Sequence, residues 1–352
     1  MINNNYKTVG AVPCGRPYDF YIILSFTPLN KSEKYIIIIK NNGREYKYIM
    51  KYLGIDGGGT KTSFCLTDGS LNILSEYHTT GLYYPEIGKD GVVEVINKGI
   101  DICLKKANVD LNDVKAYCGM PVFGEHESLD YDLPEIKSRV SVPMGFCNDV
   151  EVCHAGALGY IPGIAVIAGT GSIGFGRDEF GNKTRSGGFG PEPNGDEGSA
   201  YYIGLRLMNK FTRQSDYRED RTLLYGEVKK ALNFKRDFDV EEFLIEKLKT
   251  NRASIAELSL LAYDIAMMGD PACISIFSEA AYEIYLLAAA IKKQLKFQEL
   301  PIKVSYAGGV FKSGDLVLAK FGELLKQNDM ILTKPRYSPV IGACILARDA
   351  TT

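Results

Sequence analysis

Residues 51–68 read KYLGIDGGGTKTSFCLTD, and this stretch decides the fold. It predicts an apolar strand, a turn of three glycines followed by Thr-Lys-Thr, and a second strand. Glycines inside a hairpin lose backbone entropy on folding and contribute no packing. Their successive N–H groups can instead form a concavity that binds an anion, and threonine hydroxyls add donors. The stretch therefore indicates a hairpin whose turn approaches a ligand.

A second glycine hairpin, GTGS at residues 169–172, lies between the strand-like runs GIAVIA and SIGFGR. Neither loop is a Walker A sequence, because GxxxxGK[ST] is absent and each turn leads into a strand instead of a helix. A single loop of this kind is equally well explained by a turn that binds nothing. Two such loops at matching positions favour a phosphate clamp. Asp56 beside the first loop is then a candidate partner for Mg²⁺, directly or through water, because Mg²⁺ prefers oxygen ligands.

The order of elements is repeated along the chain. From Lys51 the pattern predicts β-β-β-α-β-α-β-α, with helices near residues 89–107, 133–140 and 149–158. A strand, glycine turn, strand and strand follow again from Gly163, and a mainly helical stretch runs from Gly198 to about Gln298. We therefore predict an α/β fold with two domains, residues 50–160 and residues 161–337, the second with a helical insertion.

The first 49 residues lack an amphipathic period and mix turn signals with short apolar runs. We expect an irregular leader here. Because the regular pattern begins directly after Met50, we interpret Met50 as the native start; a genuine but poorly structured leader is the alternative.

Composition excludes several classes of protein. The 352 residues, 45% hydrophobic and 24% charged, are typical of a soluble globular chain of about two domains. The net charge of −2 gives no sign of a nucleic-acid or membrane-surface partner. Eight cysteines without a CxxC pair, and only three histidines, predict neither a disulfide framework nor a zinc site. Reduced thiols in the cytoplasm are the simplest account, and no apolar run reaches the roughly 18–20 residues of a membrane span.

Six motifs together carry a family resemblance, and they are GIDGGGTKT, GMPVFGE, CNDVEVCHAGALG, AGTGSIGFGRDEFG, SGGFGPEPNGDEGSAYYIG and YAGGVFKSGD. From about Lys51 to Ala350 the chain resembles sugar kinases of the actin/hexokinase/Hsp70-like superfamily. It is most similar to the N-acetylglucosamine kinase family, a grouping that also takes in activator ATPases of acyl-CoA dehydratases and reductases. The resemblance implies two ribonuclease-H-like domains with a cleft between them, and a terminal helix, residues 338–352, that packs back on the first domain.

The resemblance also implies a set of site residues. Asp149 matches the catalytic aspartate. The residues that match the ATP-binding motifs are Gly57, Gly58, Gly59, Thr60, Lys61, Thr62, Gly169, Thr170, Gly171, Ser172, Gly308, Gly309 and Lys312. Those expected at the sugar are Asn148, Asp149, Gly188, Phe189, Gly190, Asp196 and Glu197.

Asp149 and the GDEG segment also have plain structural interpretations. An aspartate at the start of a helix is usually an N-cap, yet Asp149 follows a strand, where open α/β sheets bind ligands. There it could remove a proton from a sugar hydroxyl. Asp196 and Glu197 could bond sugar hydroxyls beside the ring of Phe189, or could simply complement the dipole of the following helix.

Two departures from the family pattern concern the sugar. Phe189 stands where the family usually has tryptophan, and the loop PEPN appears one residue longer than usual. Tyr83 and Tyr84 lie where an asparagine often contacts the acyl-amino group. Kinase chemistry is compatible with these changes, whereas N-acetylglucosamine as the substrate is less secure.

The predicted function is an ATP- and Mg²⁺-dependent kinase of the 6-hydroxyl of an amino sugar, with N-acetylglucosamine first and another hexose such as glucosamine as an alternative. An activator ATPase of a redox enzyme is the second interpretation, although no matching cysteine motif is visible. A non-catalytic sensor of sugar is the third. The expected partner is a small-molecule sugar, and the resemblance leaves a homodimer open.

Overall fold

The computed structural model describes residues 50–125, 127–191, 193–250 and 252–349, and four strands upstream of them. The chain divides into two compact units. The first comprises Met1–Tyr160 and Tyr337–Thr352, and the second comprises Ile161–Arg336. The boundary expected after residue 160 coincides with this division and the one expected after residue 337 lies one residue from it, whereas the first unit begins at Met1 and not at residue 50.

The upstream strands pair as one antiparallel sheet in chain order. They are β1 (Lys7–Thr8), β2 (Tyr21–Phe26), β3 (Ile36–Asn41) and β4 (Arg44–Ile49). The sequence predicted an irregular leader, and the runs YIILSF and IIIIKN differ from that prediction because their isoleucines favour the pleated backbone. The rest of the leader lies outside the described residues. Met50 as the native start stays a prediction.

The first unit contains a mixed sheet of five strands in the order β7-β6-β5-β8-β9. Its strands are β5 (Lys51–Gly57), β6 (Lys61–Thr67), β7 (Ile73–Thr80), β8 (Val114–Met120) and β9 (Met144–Asn148). β5, β6 and β7 are antiparallel neighbours, whereas β5, β8 and β9 run parallel. The carboxyl ends of β5, β8 and β9 therefore meet at one edge of the sheet.

Three helices of the first unit follow these strands, and they are α1 (Tyr84–Ala107), α2 (Glu127–Arg139) and α3 (Asp149–Leu158). Gly88 has non-helical dihedral angles inside α1, so the regular helix begins at Lys89, as the sequence predicted. Its apolar positions Val92, Ile96 and Ile100 are fully buried. This face packs into the core of the first unit.

The second unit repeats the strand order, here β12-β11-β10-β13-β14. Its strands are β10 (Gly163–Ala168), β11 (Ser172–Arg177), β12 (Lys183–Gly187), β13 (Ile302–Ala307) and β14 (Met330–Leu332). The helices are α4 (Ala200–Ser215), α5 (Leu223–Ala231), α6 (Asp239–Thr250), α7 (Arg252–Ala256), α8 (Leu258–Met267), α9 (Pro271–Gln294) and α10 (Asp315–Lys326). Six of these seven helices, all but α10, form the predicted helical insertion.

Helix α9 is long and apolar enough to cross a membrane by length and composition alone. Its buried side chains, among them Phe277 and Ile284, belong to the core of the second unit. A core helix of a globular protein passes the same test, so the finding is weak evidence for a span.

The chain ends with α11 (Pro339–Asp349), which packs on the sheet of the first unit. Glycines make the close approach possible. A Cβ on Gly54 of β5 would lie 2.7 Å from the backbone nitrogen of Cys344, and one on Gly342 would lie 2.9 Å from Cα of Gly156. The last helix thus contributes to the core of the first unit, with Cys65 and Ile345 buried together.

Candidate active site

The first glycine loop joins β5 to β6, and two backbone hydrogen bonds fix its conformation. The N–H of Gly58 donates to the carbonyl of Lys61 at 2.9 Å, and the N–H of Leu82 donates to the carbonyl of Gly58 at 2.9 Å. Gly59, Thr60 and Lys61 are exposed, and nothing lies within 4 Å of a Cβ placed on Gly59. The tip of the loop therefore presents open backbone, which fits a phosphate ligand.

Thr62 differs from its neighbours because it is fully buried. Its hydroxyl oxygen has no hydrogen-bond partner among the residues that the structure describes. A buried hydroxyl without a partner is unfavourable, so ligand binding with a small shift of the loop would satisfy it. Its predicted contact with ATP stays a prediction.

Asp56 lies near the carboxyl end of β5, where it pairs in register with Gly119 of β8. Burial raises the pKa of Asp56 to about 7, and the negative charge of Asp149 adds to the rise, while Lys61 opposes it. Asp56 and Asp149 repel each other when both are ionised, so their carboxyl groups do not titrate independently. A divalent cation would relieve this repulsion. The residues therefore fit Mg²⁺ at Asp56. Among the described residues, no group of three His, Cys, Asp or Glu could hold a metal ion, so water and phosphate oxygens would supply the other ligands.

Asp149 is the first residue of α3, and it is not the N-cap. The cap is Asn148, whose side-chain oxygen accepts a hydrogen bond from the N–H of Val150 at 3.2 Å. Burial raises the pKa of Asp149 to about 6, with the charge of Glu125 adding to the rise and backbone N–H groups opposing it. A carboxylate poised near neutral pH is suited to accept a proton.

The side-chain amide nitrogen of Asn148 donates two hydrogen bonds within the first unit. Its amide nitrogen donates to the carbonyl of Phe123 at 2.9 Å and to Oε1 of Glu125 at 2.9 Å. Its predicted contact with the sugar therefore stays a prediction. Glu125 is an exposed carboxylate that the sequence analysis did not single out, although it closes the motif GMPVFGE.

Gly119 determines how closely β8 and α3 approach each other. A Cβ at this position would lie 2.6 Å from Cγ2 of Val152 and 3.2 Å from Cα of Asp149. Any larger residue would push the first turn of α3 away from the sheet. Gly119 was also not predicted, although the same motif begins with it.

The second glycine loop is bonded along its length to the segment that precedes and begins α4. The N–H of Ala200 donates to the carbonyl of Gly169 at 2.8 Å. The N–H of Ser172 donates to Oδ1 of Asp196 at 3.1 Å, and its hydroxyl donates to the carbonyl of Glu197 at 2.6 Å. This loop is therefore fixed by polar contacts on its inner side.

Asp196 is the centre of those contacts. Its side chain is 3% exposed, and its Oδ2 lies 2.7 Å from Nη1 of Arg252. Burial raises the pKa of Asp196, while Arg252 and the Ser172 N–H oppose the rise. A carboxylate accepts more than two hydrogen bonds, so a sugar contact remains compatible with this geometry and stays a prediction.

The neighbouring residues differ in exposure. Glu197 is exposed, and it does not cap α4, because Ser199 accepts the capping bond from the N–H of Tyr202 at 3.2 Å. Phe189 is 70% exposed between Gly188 and Gly190, which have φ angles of 76° and 91°. The exposed ring fits the predicted role of a platform for the apolar face of a sugar.

A cavity of about 600 Å³ opens beside the second loop within the second unit. Four of the residues that line it were predicted to bind ATP, and they are Gly169, Thr170, Gly309 and Lys312. Its apolar wall comes from the helical insertion and includes Ile203, Leu260, Tyr263 and Phe277. The volume lies in the range of small-molecule sites, and the wall suits a nucleoside. The motifs alone gave no sign of these wall residues.

Predicted residues thus fall into two groups. The first unit holds Asp56, the GGGTKT loop and Asp149, whereas the second unit holds the GTGS loop, the adenosine-side glycines and the GGFG and GDEG segments. Cys147 and Cys153, on either side of Asp149 in the chain, are buried, since each is 4% exposed.

A sequence profile described as the BadF/BadG/BcrA/BcrD ATPase family matches residues 53–347. An N-acetylmuramic acid/N-acetylglucosamine kinase of Clostridium acetobutylicum is 30% identical over 305 residues, which are 85% of this chain and 99% of that protein. An N-acetyl-D-glucosamine kinase of Dictyostelium discoideum is 29% identical over 315 residues, with 84% and 97% of the two chains covered.

A solved structure of a proposed N-acetylglucosamine kinase from Chromobacterium violaceum shares the fold. Its TM-score is 0.67 at 22% identity, over 85% of this chain and 99% of that one. Together with the repeated five-stranded sheets, these findings confirm the predicted family resemblance and the predicted α/β fold class of the actin-like ATPases.

Proposed function

Since the chain belongs to the BadF/BadG/BcrA/BcrD ATPase family, we propose that it is an ATP-dependent kinase that phosphorylates the 6-hydroxyl of N-acetylglucosamine. Two relatives of about 30% identity, each matched over nearly their full length, carry kinase names with this sugar in them. The observation that carries the proposal is the position of Asp149 at the start of α3 together with its raised pKa. Asn148 is the N-cap of α3, so Asp149 is not the capping residue, and its carboxylate at the edge of the sheet can accept a proton.

The first unit supplies the acid–base chemistry of this proposal. Asp149 accepts the proton of the sugar hydroxyl at its carboxylate, and its pKa of about 6 keeps it ionised at neutral pH. The exposed backbone of Gly59 and the Lys61 side chain hold phosphate oxygens. Asp56 would hold Mg²⁺, which when bound neutralises charge on the phosphates.

The second unit supplies the binding of the nucleotide. The GTGS loop is fixed by Asp196 and Ala200, so its remaining N–H groups are preorganised for phosphate. The 600 Å³ cavity accepts the base and ribose against Leu260, Tyr263 and Phe277. Phe189 offers its exposed ring to the sugar.

The test is release of ADP by the purified protein with Mg²⁺-ATP and a panel of sugars. The panel contains N-acetylglucosamine, N-acetylmuramic acid, glucosamine, N-acetylmannosamine, glucose and no sugar. We expect turnover that depends on N-acetylglucosamine and falls about 10²- to 10⁴-fold in Asp149→Asn. Asp101→Asn is the matched control, because Asp101 is an exposed carboxylate whose ion pair with Lys105 lies on the surface of the same unit.

Other outcomes would overturn the proposal. Hydrolysis of ATP that no sugar stimulates, together with iron in the purified protein, would favour the activator ATPase. The cysteines in the described part of the chain are all buried, which does not support a cluster held at the surface. Nucleotide binding without turnover would favour the sensor.

Three finer points belong to the same proposal. Chelation with EDTA should abolish turnover if Mg²⁺ is required. The free, buried thiols in the described residues support a reducing compartment such as the cytoplasm, which fractionation of the source cells would test. Light scattering of the purified protein distinguishes a single chain from the homodimer that the resemblance leaves open.

A further inference from the structure

An ion pair in the second unit joins the helical insertion to the GDEG segment. Nη1 of Arg252 lies 2.7 Å from Oδ2 of Asp196, across 56 residues of sequence. Asp196 is 3% exposed, whereas the Arg252 side chain is 45% exposed. A charged carboxylate this deeply buried needs a compensating charge, and Arg252 supplies it.

The backbone at Asp196 is held in an unfavourable conformation. Its φ angle is 65°, in the left-handed region that residues with a Cβ seldom adopt. Its Oδ1 accepts the Ser172 N–H and lies 2.5 Å from where a Cβ on Gly171 would stand. The side chain of Asp196 therefore fixes the position of two of the four residues in the second phosphate loop.

Arg252 is the first residue of α7, and this short helix lines the nucleotide cavity. Ala253 and Ala256 are in the cavity wall, together with Gly169 and Thr170 of the loop. Ile255 is buried, and its backbone lies against Gly204 of α4, which anchors α7 in the unit. The wall of the cavity and the phosphate loop are thus connected through one ion pair.

We propose that Arg252 is a positioning residue for phosphoryl transfer, which holds Asp196 and through it the GTGS loop while α7 closes one side of the nucleotide cavity. The inference rests on the proposed kinase function. Without the guanidinium, Asp196 either takes up a proton or leaves its buried position. Protonation weakens the hydrogen bond that Asp196 accepts from the Ser172 N–H and reorientation breaks it, so the loop loses its fixed geometry.

The variants are Arg252→Met, Arg252→Lys and the control Arg236→Met. Arg236 makes a comparable ion pair with Asp239 in the same unit, but its side chain is 80% exposed. We expect Arg252→Met to lower kcat about ten- to hundredfold and to raise KM for ATP, because a hydrogen bond between charged groups is lost. Arg252→Lys keeps the charge and should recover part of the loss, and Arg236→Met should behave as wild type.

A double-mutant cycle with Asp196→Asn separates positioning from general destabilisation. If the pair acts as one unit, the double variant loses no more than the worse single variant. Equal kcat and KM in wild type and Arg252→Met would overturn the inference. A loss of activity that only follows a lowered melting temperature, and that Arg252→Lys does not reduce, would overturn it as well.

Calorimetric titration with a non-hydrolysable ATP analogue keeps this test independent of the sugar. If the wild-type protein turns over no sugar, the proposed function fails while the titration still tests Arg252. Binding at least tenfold weaker in Arg252→Met supports the positioning role, and unchanged binding contradicts it.

Discussion

The two glycine hairpins occupy the same place in two sheets of the same strand order, yet they are built differently. The first has exposed residues at its tip and stands beside Asp56, whose pKa is raised to about 7. The second is bonded along its inner side to residues 196–200 and opens on a cavity of about 600 Å³. The first hairpin adjoins Asp56, whose negative charge is opposed by that of Asp149. The second adjoins Asp196, whose pKa is also raised by burial but whose charge is partly compensated by Arg252.

This difference shows how two units with the same fold can serve different functions. Raised carboxyl pKa values in a half-buried site are typical of groups that take part in chemistry. A preorganised loop beside an apolar cavity is typical of a site that binds and orients. Substitutions at equivalent kinds of position in the two units should therefore change different kinetic constants.

The largest effect is expected from Gly119→Ala in the first unit. The new Cβ would meet Val152 at 2.6 Å and displace the first turn of α3, with Asp149 on it. A displacement of about 1 Å at a reacting group can lower the rate about 100-fold, so kcat should fall by that order while KM for ATP changes little. Overpacking should also lower the free energy of unfolding by about 1–3 kcal/mol. Steady-state kinetics and chemical denaturation measure the two effects.

Gly59→Ala is the control for the stability measurement, because open space surrounds Gly59. It should leave the stability near that of wild type. A Gly119→Ala protein with wild-type kcat would mean that the approach of β8 to α3 does not position the base.

A smaller and different effect is expected from Gly308→Ala in the second unit. Gly308 has a φ angle of 104°, and an added Cβ would lie 2.9 Å from the backbone nitrogen of Gly169. Both the strain and the contact push the second loop out of place, so KM for ATP should rise about tenfold, with a smaller change in kcat. An effect on kcat as large as that of Gly119→Ala would contradict the division of work.

The pH dependence of kcat should follow the first unit. As the proposed base, Asp149 acts only when ionised, so its pKa of about 6 predicts that kcat falls as the pH drops through about 6, by about tenfold per unit below it. Glu125→Gln removes a charge that raises this pKa, so the acid limb should move to lower pH. Glu127→Gln, at an exposed position on α2, should leave the limb where it is. If the acid limb of the kcat profile has the same midpoint pH in Glu125→Gln as in wild type, Glu125 does not act on Asp149.

The smallest effect is expected at the wall of the cavity. Leu260 is 68% exposed and lines the cavity from α8. Leu260→Ala removes apolar surface from a bound base and should raise KM for ATP about three- to tenfold at unchanged kcat. Met267→Ala, 63% exposed on the same helix and outside the cavity lining, is the matched control. Equal KM values for the two variants would place the base elsewhere.

Local patterns carried most of what the sequence could predict. The glycine hairpins, the helix after Asn148 and the strand order all follow from short stretches whose spacing is visible in one dimension. The interpretation of Asp149 as a helix cap was open because the capping residue depends on backbone angles one residue away. The structure gives the cap to Asn148.

The residues that were missed depend on contacts between distant parts of the chain. Arg252 meets Asp196 across 56 residues, and Glu125 meets Asn148 across 23. Gly119 matters only because Val152 packs on it. The cavity wall comes from α4, α7, α8 and α9, whose apolar patterns indicate helices without indicating which faces surround a ligand.

The packing of α11 on the first unit also determines when that unit can complete its core during synthesis. Every residue of the second unit, 161–336, leaves the ribosome before α11 does. Until then Gly54 and Tyr52 of β5 lack the helix that covers them, because Val340, Cys344 and Ile345 complete that part of the core. During synthesis the first unit therefore lacks part of its core until α11 has left the ribosome. A chain truncated before residue 339 would contain every residue of the second unit but lack the helix that completes the core of the first.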